Sequence, residues 1–196
     1  MEGIGVIDFS RVFREVSANM AALADSPYID AVERAADVLA AAFEADHTLL
    51  VFGNGGSAAD AQHLAAELVG RFGVERRGLP AVALTANEAM LTAWSNDRSF
   101  EDVFARQIEA LGRPGDVALG ISTSGMSANV VRAMARARAA GLRTIGMTGA
   151  GGGRVAESCD VLLAAPFTDT ARVQEVHLVT YHAICAALDA RLTRPA

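Results

Sequence analysis

The chain has 196 residues, of which 52% are hydrophobic and 20% are charged, and its formal net charge is -6. This length suits a single domain with a buried core. Nucleic acid and anionic membranes both require clustered Lys and Arg, which are scattered here, so we expect neither as a partner. Cys159 and Cys185 fit neither a disulfide framework nor a CxxC metal site, and we expect a cytoplasmic protein without a membrane span.

Two amphipathic helical patterns, at residues 9–23 and 29–45, open the chain and are separated by Asp25-Ser26-Pro27. Their apolar stripes need a partner, so the two helices either lie across the sheet or form a bundle with other copies of the chain. We predict residues 1–46 as a helical oligomerisation segment and residues 47–196 as the domain that carries the function.

Five short apolar runs alternate with helical patterns in the rest of the chain. The runs cover residues 48–52, 81–84, 116–121, 144–147 and 160–165, and the helical patterns cover 57–69, 100–111, 127–140 and 169–192. This alternation predicts βαβ units and an α/β fold with a parallel sheet covered on both faces. Ligands of such sheets bind at the carboxyl ends of the strands.

The first strand pattern leads directly into a glycine-rich loop and then into a helical pattern. Unpaired N–H groups at a helix start, next to residues without a Cβ, let a phosphate or sugar oxygen approach. The spacing is neither a dinucleotide fingerprint nor a Walker loop. A strand-to-helix turn capped by Ser57 is an equal alternative at this point. The loop reads Gly53-Asn54-Gly55-Gly56-Ser57.

A second loop follows the third strand pattern, and we call residues 122–127 the hydroxyl loop. Its four hydroxyl side chains exceed what one helix cap requires. Hydroxyls and helix N–H groups together can bind phosphate without any Lys or Arg. We therefore predict a phosphate site here, with a simple capping turn as the alternative. The loop reads Ser122-Thr123-Ser124-Gly125-Met126-Ser127.

His63 and Glu67 lie four residues apart in the helical pattern 57–69, so their side chains share one helix face. One metal ion or one substrate could meet both side chains, whereas a solvated charge pair is the alternative. Asp60, one turn earlier, is either a carboxylate that orients His63 or an exposed helix acid.

Four stretches of the sequence are similar to one known family. They are GNGGSAADAQHLAAELVGRF at 53–72, SND at 95–97, GDVALGISTSGMSANV at 115–130 and RVQEVHLVTYHAICAALD at 172–189. With them the chain resembles the sugar isomerase (SIS) domain family and, within it, the heptose branch. The resemblance implies a flavodoxin-like three-layer sandwich with a five-stranded parallel sheet and two N-terminal helices. It also implies a homotetramer with active sites lined by more than one subunit.

The activity implied by the resemblance is aldose–ketose isomerisation of a phosphorylated seven-carbon sugar. Sedoheptulose 7-phosphate would become D-glycero-D-manno-heptose 7-phosphate, the first step of nucleotide-activated heptose biosynthesis. The same resemblance implies phosphate contacts from Ser122, Thr123, Ser124 and Ser127. It implies further substrate contacts from Asn54, Gly55, Gly56, Ser57, Glu67, Asn96, Asp97 and Gln174. It implies one zinc ion per subunit, held by His63, Glu67, Gln174 and His182.

Moving a carbonyl between C1 and C2 requires a base at carbon, an acid at oxygen and a group that stabilises the enediolate charge. By resemblance, Glu67 is the base and His182 the acid, although the two roles could be exchanged. Gln174 and His182 are separated by about 12 Å of helix rise and roughly 80° of rotation. They share an ion only by reaching towards each other; otherwise they serve different copies of the site, or the metal contacts fewer groups.

The chain departs from some family members at two positions near the implied site. Ala66 stands where some members carry an acid, and Ala171 stands where some carry an aspartate before the Arg of the RxQE pattern. Asp169, two residues earlier, could replace that aspartate. Met126 replaces a polar residue that is common in the hydroxyl loop.

Two other functions stay open on the sequence. Related proteins of this fold serve as scaffolds that bind the bacterial replication initiator protein, or as sugar-phosphate sensors of transcription factors. The joint presence of His63, Glu67, Gln174 and His182 favours the enzyme, and the missing helix-turn-helix and basic patch argue against DNA binding. An isomerase of another sugar phosphate keeps the chemistry and changes only the substrate.

Overall fold

The computed structural model describes residues 7–193, and its centre is a five-stranded parallel sheet. The strand order is β2-β1-β3-β4-β5, which is the flavodoxin-like order. The predicted fold class is therefore confirmed. Residues 1–6 and 194–196 of the two predicted segments lie outside the described residues. The strands are β1 (Leu49–Gly53), β2 (Ala81–Ala83), β3 (Val117–Ser122), β4 (Arg143–Thr148) and β5 (Val161–Ala164).

Seven α-helices surround this sheet in the described part of the chain. Among residues 7–193, none of the helices is both long and apolar enough to cross a membrane. The helices are α1 (Phe9–Ala24), α2 (Tyr28–Glu44), α3 (Gly56–Val69), α4 (Glu88–Asp97), α5 (Val103–Leu111), α6 (Ala128–Ala139) and α7 (Thr170–Leu192).

Helix α4 was not predicted, because none of its residues is fully buried and its apolar periodicity is correspondingly weak. The Asn87 side chain caps it by accepting a hydrogen bond from the Met90 N–H at 3.0 Å. The stretch 95–97 forms the last turn of this helix.

Alternate residues of the strands face two separate apolar cores, one on each face of the sheet. Leu49 and Val51 pack with residues of α2, α3 and α7. Leu50 and Phe52 pack with residues of α5 and α6. The sheet is thus covered on both faces, which explains the continuous apolar runs in the strand sequences.

The two N-terminal helices have different partners. Helix α2 lies against the sheet, with Leu39 and Phe43 fully buried. Helix α1 buries only Leu23 and leaves Phe9 and Phe13 exposed by 73% and 76%. The sequence analysis expected both helices either to lie across the sheet or to form a bundle with other copies of the chain. In the structure only α2 lies across the sheet. The division into segments at residue 46 stays a prediction.

Helices α3 and α7 run side by side in the same direction, since each follows the carboxyl end of a strand. Near their starts Gln174 lies against Gly56, and seven residues further along each helix Tyr181 meets His63. The equal steps keep the two helices in register over two turns. This alignment creates the site described below.

A buried ion pair fastens the far ends of these two helices. Arg76, whose side chain is 1% exposed, pairs with Asp189 of α7 at 2.6 Å. The same guanidinium donates to the carbonyls of Glu67 and Leu68 in the last turn of α3, each at 3.0 Å. Burial alone would raise the pKa of Asp189, but the Gly73 N–H and Arg76 bring it below its usual value. We call the Arg76–Asp189 pair the helix clamp.

Candidate active site

The glycine-rich loop between β1 and α3 is open at its tip. Gly55 has a φ of +57° and precedes the helix, and a Cβ there would meet no atom within 4 Å. Ser57 is buried in the first turn and caps nothing, so the capped-turn alternative does not describe this loop. The amide of Asn54 is held by Asn129 through two hydrogen bonds of 2.8 and 2.9 Å. Asn54 therefore fastens the loop to α6.

The hydroxyl loop makes hydrogen bonds within itself and does not cap α6 through Ser127. Ser127 precedes α6 without capping it, and its hydroxyl lies 3.0 Å from that of buried Ser122. Ser124 is exposed, and its hydroxyl accepts from the Met126 N–H at 3.2 Å. Because the Ser127 hydroxyl lies against Ser122, the capping-turn alternative does not describe Ser127; the phosphate site stays a prediction.

A second loop supports the hydroxyl loop from behind. Gly125 has a φ of +66°, and a Cβ on it would lie 2.2 Å from the Gly152 carbonyl oxygen. The Thr123 carbonyl accepts from the Gly149 N–H at 2.9 Å. Only glycine allows this close approach of two backbones, so the shape of the hydroxyl loop is fixed by its neighbour.

Asn96 and Asp97 lie in the exposed last turn of α4, where Asn96 donates to Asp97 at 2.9 Å. Asp169, which lies two residues before Ala171, caps α7 by accepting from two N–H groups at 3.1 Å. Its carboxylate is thus used at the helix start. The sugar contacts of Asn96 and Asp97 stay a prediction.

The two parallel helices bring three predicted metal residues together. His63 Nε2 lies 3.1 Å from Glu67 Oε1, and the His182 ring stands edge-on to the His63 ring with centroids 5.1 Å apart. One nitrogen or oxygen from each of the three residues lies within 4.8 Å of the other two. We call His63, Glu67, Tyr181 and His182 the helix-pair cluster.

The fit of a metal to this cluster can be judged from its polar atoms. His182 Nε2 is buried and has no hydrogen-bond partner among residues 7–193. A buried polar atom without a partner is uncommon and costs free energy. Two imidazoles and a carboxylate are suitable zinc ligands. The donor set therefore fits a zinc ion, which would satisfy His182.

Gln174, the fourth predicted ligand, lies elsewhere in the same chain. A Cβ on Gly56 would lie 2.3 Å from the Gln174 side-chain nitrogen. His63 is seven residues further along α3, which corresponds to about 10.5 Å of helix rise. Gln174 therefore lies beside the glycine-rich loop. Two of the alternatives for its relation to the metal remain: Gln174 serves another copy of the site, or the metal contacts fewer groups.

Sequence reasoning missed the role of Tyr181. Its hydroxyl lies 2.9 Å from His63 Nδ1 and donates to Asp60 Oδ1 at 3.4 Å. Burial raises the pKa of Asp60, while the hydrogen bond from Tyr181 opposes this shift. Burial and the neighbouring Asp60 raise the pKa of Tyr181 above its usual value. The one usable signal was spacing: Tyr181 follows Gln174 by seven residues, as His63 follows Gly56.

Comparison with known proteins bears directly on this geometry. Residues 12–149 match the SIS domain family. The phosphoheptose isomerase of Geotalea daltonii is 57% identical over 167 residues, which is 85% of each chain. The chain belongs to the phosphoheptose isomerase family of SIS-domain proteins. A second member, from Crocosphaera subtropica, is 55% identical over 165 residues, or 84% of each chain.

The fold of this family agrees with the structure described above. The solved phosphoheptose isomerase from Neisseria gonorrhoeae matches with a TM-score of 0.86 and 41% identity, covering 92% of this chain and 96% of the other. The sequence resemblance to the heptose branch is confirmed. Since 92% of this chain is covered, the likeness is not confined to one motif.

Proposed function

We propose that the protein is an aldose–ketose isomerase that converts sedoheptulose 7-phosphate to D-glycero-D-manno-heptose 7-phosphate. This reaction is the first step of nucleotide-activated heptose biosynthesis. The observation that carries the proposal is the convergence of His63, Glu67 and His182, because proton transfer at carbon and oxygen needs such groups. Relatives named phosphoheptose isomerase, up to 57% identical, support the same reaction.

The hydroxyl loop would hold the phosphate of the substrate. Its hydroxyls and the N-terminus of α6 offer donors to an anion where no Lys or Arg is needed. The open tip of the glycine-rich loop, at Gly55, leaves room for the sugar chain. The remaining proposed substrate contacts come from Asn54, Gly56, Ser57, Asn96, Asp97 and Gln174.

Glu67 and His182 would carry out the proton transfers. Glu67 takes the proton from one carbon and returns it to the neighbouring carbon, and His182 moves a proton between the two oxygens. The half-buried position of Glu67, with its side chain 25% exposed, limits competition from water. His63 Nε2 lies 3.1 Å from Glu67 Oε1, so His63 is placed to share the proposed metal ion with Glu67.

A single zinc ion is the proposed cofactor. His63, Glu67 and His182 would hold it, with Gln174 as a further ligand contributed by another copy of the chain. When bound, zinc would polarise the carbonyl and stabilise negative charge on oxygen. A carboxylate has two oxygens, so Glu67 can hold the metal with one and act at carbon with the other.

The site would be completed by a second subunit of a homotetramer. Within one chain the hydroxyl loop lies at the carboxyl ends of the strands, whereas His63 lies about 10.5 Å further along α3 than Gly56. One sugar phosphate could contact both regions if they came from different copies. The exposed Phe9 and Phe13 of α1 supply apolar surface for such contacts.

Mixing two impaired variants, assayed at a substrate concentration well below the raised KM, tests this shared site. Glu67→Gln subunits and Ser122→Ala/Ser124→Ala subunits should each be impaired alone, and mixed tetramers should regain activity through sites with two intact halves. Light scattering should report a tetramer before and after mixing. A monomeric protein, or mixed tetramers without any recovery, would contradict the shared site.

The activity itself is tested by NMR of the purified protein with sedoheptulose 7-phosphate in deuterated water. We expect aldose signals to appear and deuterium to enter C1 or C2. Fructose 6-phosphate tests the alternative of a six-carbon substrate, and unphosphorylated sedoheptulose tests the need for the phosphate. Conversion of none of these sugars would reject the enzyme and favour a scaffold or sensor.

The proposed location is the cytoplasm, where thiols stay reduced. Cys159 and Cys185 are both free thiols in the structure. Burial raises the pKa of each thiol to about 12, so neither is a reactive thiolate at neutral pH.

A further inference from the structure

The hydroxyl of Tyr181 stands between two polar groups that both can accept a hydrogen bond. His63 Nδ1 lies 2.9 Å from it and Asp60 Oδ1 lies 3.4 Å from it. A hydroxyl has a single hydrogen and two lone pairs, so it can donate to only one of them. The other contact must be one in which the Tyr181 oxygen accepts.

The surroundings of Asp60 decide between the two directions. The second carboxylate oxygen, Asp60 Oδ2, is buried and has no hydrogen-bond partner within the described range 7–193. A carboxylate accepts more strongly than a neutral imidazole nitrogen, so the Tyr181 hydrogen belongs to Asp60. The Tyr181 oxygen then accepts from an N–H on His63 Nδ1.

This direction fixes the state of the other nitrogen of His63. A neutral imidazole carries one N–H, so a hydrogen on Nδ1 leaves the lone pair on Nε2. His63 Nε2 faces Glu67 Oε1 at 3.1 Å, and a ring nitrogen of His182 lies within 4.8 Å of the ligand atoms that His63 and Glu67 offer. His182 Nε2 is buried and has no hydrogen-bond partner within residues 7–193. Acceptor atoms of three side chains then lie close together, which a cation would stabilise.

We propose that Tyr181 is a positioning residue which, together with Asp60, holds His63 as the Nδ1–H tautomer and presents Nε2 to a divalent metal ion. The proposal rests on the metal site in the proposed function, and it adds Tyr181 and Asp60 to the residues to which the resemblance assigned a role. Metal-bound histidines commonly need such an acceptor on the opposite nitrogen. Here a tyrosine transmits the effect of the carboxylate.

A pair of Tyr→Phe variants tests the role of the hydroxyl. Tyr181→Phe removes the hydroxyl and keeps the ring that packs edge-on against His63 and His182. Tyr28→Phe is the matched control, because Tyr28 is the other of the two tyrosines and its hydroxyl bonds to Thr180 at 2.9 Å. Each variant loses one hydrogen-bonded hydroxyl.

The measurement is the dissociation constant of Zn²⁺ for each purified, metal-free protein, determined by competition with a chelator. We expect Tyr181→Phe to bind zinc about 10- to 100-fold more weakly than the wild type, as is usual when such a partner is removed. Tyr28→Phe should bind zinc as the wild type does. Isomerase activity at saturating zinc is the second readout, and added zinc should restore part of the activity of Tyr181→Phe.

Each outcome decides the proposal. Wild-type zinc affinity in a folded Tyr181→Phe protein would overturn the role of Tyr181. A wild-type protein that isomerises the sugar without binding zinc would also overturn that role, but it would leave the proposed reaction standing. Weakened zinc binding with no turnover of sedoheptulose 7-phosphate by the wild type would support Tyr181 and reject the reaction. Should Tyr181→Phe fail to fold, Asp60→Asn replaces it, and unchanged zinc affinity there overturns the proposal.

Discussion

The hydroxyl loop and the helix-pair cluster are built in opposite ways. The loop consists of six consecutive residues at the end of one strand, and its donors come from the local backbone and side chains. The cluster joins residues of α3 and α7 that are more than a hundred positions apart, and the helix clamp fastens the far ends of the same two helices. The difference suggests that the loop binds substrate while the cluster carries the chemistry, so that mutations should separate affinity from rate.

The sharpest test of this separation is Glu67→Gln, which removes the proposed base and keeps the shape of the side chain. We expect kcat to fall by roughly two to four orders of magnitude, the usual contribution of a positioned base. KM for sedoheptulose 7-phosphate should change little, because the phosphate contacts are elsewhere. Steady-state kinetics and loss of deuterium exchange at carbon report the effect; exchange at the wild-type rate would make Glu67 a metal ligand only.

Asp189→Asn tests whether the helix clamp that joins α3 to α7 stabilises the protein. The change leaves Arg76 as a buried charge without its partner, so the free energy of unfolding should fall by about 3–5 kcal/mol. Denaturant unfolding measures this loss. Asp37→Asn is the control, since it breaks the exposed pair with Arg191 and should change stability little. An equal, small effect of both substitutions would contradict the clamp.

The double variant Ser122→Ala/Ser124→Ala tests the hydroxyl loop. Hydrogen bonds to a charged group contribute about 1.5–3 kcal/mol each, so KM should rise about tenfold or more for each lost bond. The value of kcat should stay close to that of the wild type. Ser95→Ala is the control, because the Ser95 hydroxyl donates to the Leu91 carbonyl of its own helix. A folded double variant with unchanged KM would show that phosphate binds elsewhere.

The smallest effect concerns His177, which links α7 to the end of β4 by donating to the Thr148 carbonyl at 3.1 Å. Burial lowers its pKa from 6.5 to about 4, so the folded protein keeps it neutral while the unfolded chain takes up a proton. Neutral His177 therefore makes its full contribution to the free energy of unfolding above about pH 6.5. That contribution declines by about 1.4 kcal/mol per pH unit as the pH falls towards 4.

Unfolding measured between about pH 7 and pH 5 should show this decline, and His177→Gln should give a shallower slope. The same slope in both proteins would assign the pH dependence to other groups. His177 belongs to neither the hydroxyl loop nor the helix-pair cluster. His177→Gln should therefore leave the ratio of kcat to KM as it is in the wild type. An unchanged ratio would show that His177 supports the fold around both regions and belongs to neither of them.

The sequence predicted those parts of the structure that are determined by residues close together in the chain. Each strand is an apolar run that ends at a turn residue, and each loop carries its glycines and hydroxyls in consecutive positions. Helix α4 lacks such a signal, because its residues are half-buried or exposed and only the Asn87 cap marks its start. A helix without a buried face leaves little periodicity to read.

The helix-pair cluster was only partly predictable for a different reason. Helical spacing placed His63 and Glu67 on one face, and the resemblance added His182 and Gln174. How α3 and α7 lie beside each other decides the rest, and no local pattern states it. That packing places Gln174 next to Gly56 and Tyr181 next to His63.

The parallel register of α3 and α7 has a consequence for how the family can vary in length. One residue inserted between Gly56 and His63 would rotate everything beyond it by about 100° and shift it by 1.5 Å. His63 would then leave Tyr181, although the start of the helix stayed in contact with Gln174. Substitutions on the outer faces leave this register untouched. Alignments of related chains should therefore run without gaps through residues 56–69 and 174–189, and insertions should collect in the connections between helices and strands.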